Sequence, residues 1–174
     1  MSKKEIIRTA VTALIVLGLL IGGNFLYKKF WLEKNLAEQV SNIPGITAAQ
    51  IVEQRGQREL DIQTGEVENL PKICEQLDDM VDGTPIRFTD NRSDELNNLY
   101  RQMEFALQEG IVQGNFTKML EVIQEQSAKA GVKVTLDMDS DRIYLLLTKD
   151  GKQLISVLER KEKGLYLPSR AEDI

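Results

Sequence analysis

Apolar residues recur along this chain with two different periods, and ahead of them stands one run with no period at all. From Thr9 to Tyr27 nineteen successive residues carry no charge, and most are Leu, Ile, Val, Ala or Gly. As a helix this run would extend about 28 Å at ~1.5 Å per residue, close to a hydrocarbon thickness of about 30 Å. The run ends in GGNFLYKKFW, with no small-residue cleavage pattern of the secretory type. Tyr27, Lys28, Lys29 and Trp31 stand instead where a membrane-interface belt would lie. The pattern predicts an uncleaved anchor. Next, Leu32, Leu36 and Val40 fall on one helical stripe that Pro44 and Gly45 stop, predicting a short stalk.

Beyond the stalk the period changes several times. ITAAQIVEQRGQRELDIQ predicts two extended segments turning near Arg55 and Gly56, with Leu60 and Ile62 inward. Val67, Leu70, Cys74, Leu77 and Val81 recur every three or four residues behind Asn69, a good N-cap, with Pro71 in the first turn where its missing N–H does no harm. TPIRFT predicts a short strand. Ser93 with Asp94 and Glu95 opens a second helix with the stripe Leu96, Leu99, Tyr100, Met103, Leu107 and Ile111. Asn115 opens a third, with Phe116, Met119, Leu120 and Ile123 inward and Gly131 at its end. VKVTLDMD alternates strictly, and two further strands follow, joined at Asp150 and Gly151, a strong hairpin signal. The segment from Lys161 is polar with one apolar break and reads as a loose tail.

The fold class expected is α+β: a single N-terminal transmembrane helix and short helical stalk, then a small domain of antiparallel or mixed sheet, about five or six strands packed on about three helices. The expected division is a cytoplasmic tail over 1–8, an anchor over 9–27, a stalk over 28–44, an extracytoplasmic domain over 45–160 and a flexible tail over 161–174. Lys3, Lys4 and Arg8 before the run nearly balance Lys28, Lys29 and Lys34 after it. Orientation therefore rests on the short basic N-terminus, which stays inside, while long domains translocate largely regardless of charge.

Charge sharpens the picture of partners. The chain carries −5 overall, and the six basic residues and two acids up to Lys34 make that part +4, leaving −9 beyond it. Such a domain repels phosphate backbones, which excludes nucleic acid as an expected partner. The chain contains no histidine and one cysteine. Histidine-based acid–base chemistry, Ser-His and Cys-His nucleophiles and thiolate zinc sites are thereby removed. Cys74 sits on an apolar stripe and reads as a buried, inert thiol.

Two acidic groups remain. Asp137, Asp139 and Asp141 stand two apart, as in the opening of a calcium loop, but Arg142 occupies the turn-glycine position and Thr148 that of the bidentate glutamate. They read as a solvated turn. Asp78, Asp79 and Asp82 close the first domain helix, where solvation accounts for them, though a cation or basic partner could sit there. No catalytic, cofactor-binding or metal-ligating residue is therefore assigned and no cofactor is expected. Within the anchor, Gly18 and Gly22 have the small-xxx-small spacing that lets two helices approach closely. In layout the chain is similar to single-pass components of bacterial envelope assemblies. The expected function is a membrane-anchored, non-catalytic interaction or assembly domain, with the bilayer and other envelope proteins or a second copy as partners. The alternative is an anchored ligand or cation sensor, or a carboxylate-only enzyme.

Overall fold

A computed structural model of the chain describes Thr12, residues 16–18 and residues 33–172, with Arg55, Asp82 and residues 161–165 excepted. The chain divides into two units, Met1–Leu36 and Ala37–Ile174. In the first, Thr12 and residues 16–18 are helical. Most of the expected anchor, including Gly22, lies outside the described residues, as do Tyr27, Lys28, Lys29 and Trp31. Among the described residues no helix is long and apolar enough to cross a membrane. Helix α1 comprises Glu33–Ser41.

The second unit is α+β. Its elements are β1 (Ile46–Gln54), β2 (Gln57–Thr64), α2 (Leu70–Met80), β3 (Ile86–Asp90), α3 (Asp94–Gln113), α4 (Phe116–Ala130), β4 (Lys133–Met138), β5 (Arg142–Lys149), β6 (Lys152–Glu159) and β7 (Tyr166–Ala171). The caps act as their residue types dictate. Asn69 accepts from the Lys72 N–H, Ser93 from Leu96 and Asn115 from Lys118, each supplying an acceptor to a helix N–H that has none within the helix. Asp150 and Gly151 both take positive φ, 51° and 73°, as a two-residue hairpin between β5 and β6 requires.

The strands form two sheets instead of one. The first has the order β1-β2-β3-β7, with β1 antiparallel to β2 and the other pairs parallel; the second is the antiparallel meander β4-β5-β6. The expectation of five or six strands fails because of β7. What reads as a loose tail supplies a strand whose Tyr166 is buried and stacks on Phe88 with ring centroids 5.9 Å apart. Short polar sequence hides it: of YLPSRA, only Tyr166 is buried, and pairing to β3 is the reason it is ordered. The whole segment from α3 to β6 is thus inserted between two neighbouring parallel strands.

Strand β5 is buried on both faces. On one, Ile143, Leu145 and Leu147 pack with Leu154 against Leu96, Leu99, Met103 and Leu107 of α3 and Met119 and Ile123 of α4. The two helices approach closely because Gly110 faces Met119, where a Cβ would lie 2.7 Å from Met119 side-chain atoms. On the other face, Tyr144 and Leu146 are buried and α2 packs on the strand. In the first sheet Leu60, Ile62, Ile86 and Phe88 line one face and are at most 1% exposed. Its other face carries a polar ladder. Arg87 grips Glu59 with two bonds of 3.0 Å, Thr89 donates to Asp61 at 2.7 Å, and Arg170 reaches Asp61 across β3. The hydrogen bonds from Arg87 hold the Glu59 carboxyl below its ordinary value against the effect of burial.

The two sheets are joined by side chains, not by a strand pair. The outer edge of β6 presents the Gln153 N–H to Asn91 Oδ1 at 2.8 Å and the Ile155 N–H to Asp90 Oδ2 at 2.9 Å, while Ser169 Oγ donates to the Ile155 carbonyl. Arg92 donates to both Asp90 oxygens at 2.6 Å and to Ser169 Oγ at 2.5 Å. The Asp90 and Arg92 side chains are only 1% and 8% exposed. Removing one partner of such a pair leaves a buried charge uncompensated, so Asp90→Ala is expected to lower stability by about 3–5 kcal/mol. Lys118→Ala breaks an ion pair whose side chains are both more than 60% exposed, and should cost about 0.2–1 kcal/mol. Urea unfolding of the two variants checks the contrast, and equal losses would show that the seam carries no special weight.

Candidate functional site

Three of the acids singled out from sequence, Asp78, Asp79 and Asp139, line one cleft. An open cleft of about 660 Å³ lies between α2 and the β4–β5 turn, lined by Glu75, Asp78 and Asp79 from one side and by Asp139, Arg142 and Tyr144 from the other. Helix α2 delivers its acids because Cys74 and Leu77 of the same helix face the core, which turns Glu75 and Asp79 outward. Asp82 lies outside the described residues.

Asp139 organises the turn. Its Oδ1 accepts the N–H groups of Asp141 and Arg142, each at 2.7 Å, and its Oδ2 accepts the Tyr144 hydroxyl at 2.6 Å. Arg160 clamps the same turn by donating to the carbonyls of Asp139 and Ser140 while its guanidinium lies 4.6 Å from the Phe116 ring centroid. Burial alone would raise the Asp139 pKa. The Tyr144 hydroxyl, the two backbone N–H groups and the Arg142 charge together outweigh it and hold the carboxyl below its ordinary value. Asp137 is exposed on β4 opposite Tyr144, and Asp141 accepts from the Ser140 hydroxyl. The three acids therefore do not converge, and among the described residues no group of three His, Cys, Asp or Glu could hold a metal ion.

Arg142 takes the place of the turn glycine in a calcium loop, and its structural role accounts for it. The guanidinium pairs with Asp78 across the cleft and lies 5.0 Å from the centroid of the Tyr166 ring. The Tyr166 hydroxyl is 3.1 Å from both the Cys74 carbonyl and Asp78 Oδ1. Burial pushes the Tyr166 hydroxyl far above its ordinary value, and pushes the Cys74 thiol up to about 12, so neither ionises near neutrality. Arg142, Tyr144 and Tyr166 are the site residues that sequence reasoning misses. Their partners lie far along the chain: 64 residues separate Arg142 from Asp78 and 88 separate Tyr166 from it.

Of the residues assigned to the anchor, Gly18 is helical, and a Cβ placed there would meet nothing within 4 Å. Gly22 and the interface residues lie outside the described residues. Comparisons with protein-family models, with curated proteins and with solved structures find no match in any of the three.

The site has a measurable signature in pH. Because the folded-state pKa of Asp139 is depressed, its ionised form stabilises the fold above the unfolded carboxyl value of about 4, and that contribution is lost as pH falls through the folded value. Asp139→Asn should therefore flatten the fall in melting temperature below about pH 4 relative to the native chain. Thermal unfolding at stepped pH between neutrality and 3 measures it, and parallel curves would mean that the turn does not couple Asp139 to folding.

Proposed function

We propose that this protein is a membrane-anchored, non-catalytic interaction or assembly domain of a bacterial-type envelope complex, its N-terminus inside and its α+β domain outside the cytoplasm. The observation that carries this reading is that two acids of the cleft, Asp78 and Asp139, are both engaged within the fold, Arg142 Nη1 being buried there without a partner. Asp78 is tied to Arg142 and Tyr166, and Asp139 to Tyr144 and two backbone N–H groups. A general acid or base needs a titration near the working pH and a free face toward substrate. Asp139 is instead held ionised, and Cys74 and Tyr166 are held neutral. These groups brace α2 against the β4–β5 turn and β7. The uncharged run from Thr9 to Tyr27, with its aromatic and basic flank, supports the anchor.

A second reading, an anchored cation or ligand sensor or a carboxylate-only enzyme, draws on Glu75 and Asp79, whose exposed carboxyls line the same cleft. Calcium separates the two readings. The assembly reading expects no calcium-dependent rise in melting temperature, whereas a rise abolished by substituting Glu75 with Gln and Asp79 with Asn together would favour the sensor.

Fractionation of expressing cells tests the anchor. The full chain should stay in the membrane fraction through high salt and leave it only with detergent, and protease reaching the outer face of the membrane should digest it beyond Lys34. Recovery of a soluble form beginning after Gly23, or protection of the domain from that protease, would overturn the proposal.

A further inference from the structure

We draw no further inference here: the strongest candidate, the cleft between α2 and the β4–β5 turn lined by the exposed Glu75, Asp79 and Met138, belongs to the site already described, and nothing in the structure shows what would occupy it, since the unpartnered Arg142 Nη1 is itself buried out of a ligand's reach.

Discussion

The buried Asp90 carboxylate is the constraint on which the rest of the structure depends. It ends β3, and it must serve Arg92 two residues on and the Ile155 amide 65 residues on. A carboxylate this deeply withdrawn from water costs several kcal/mol unless its lone pairs are filled. Filling them fixes the geometry: Arg92 neutralises the charge and hands its remaining bond to Ser169, which in turn donates to the Ile155 carbonyl. One ion pair thereby binds the ends of β3 and β7 to the edge of β6. Because the second sheet and its two helices are inserted between β3 and β7, the same contact that joins the sheets also returns the chain to its first sheet.

The helices and most strands are legible in sequence because their signals are local. Stripes every three or four residues placed Val67, Leu70, Cys74, Leu77 and Val81 inside, and all five are buried. Asn69, Ser93 and Asn115 act as the N-caps that their side chains suit them to be. What escapes is non-local. An alternating strand argues that Glu59 and Asp61 face water, yet both are at most 4% exposed because Arg87, Thr89 and Arg170 cover them from other strands. The strand β7 has too little apolar pattern to stand out, since pairing to β3 and the Phe88–Tyr166 stack order it. Likewise the acids at the end of α2 and in the β4–β5 turn are visible one by one. Their meeting through Arg142 depends on a fold that brings residues 64 apart into contact.

The same economy of polar ties shapes what the domain can offer a partner. Its buried acids are spent on holding strands and turns together, and the cleft at α2 is braced from within by Arg142, Tyr144 and Tyr166. Among the described residues, β1 pairs only with β2.

Native-state hydrogen exchange at the Ile155 amide tests the central claim most directly. Among the described residues that N–H pairs with no strand, and the acceptor it meets is the Asp90 carboxylate. If the seam holds the two sheets as one cooperative unit, Ile155 exchanges as slowly as Leu145 in the middle of β5, through global unfolding only. Exchange of Ile155 at the rate of an open strand edge, with Leu145 still protected, would contradict it and show two sheets that open independently.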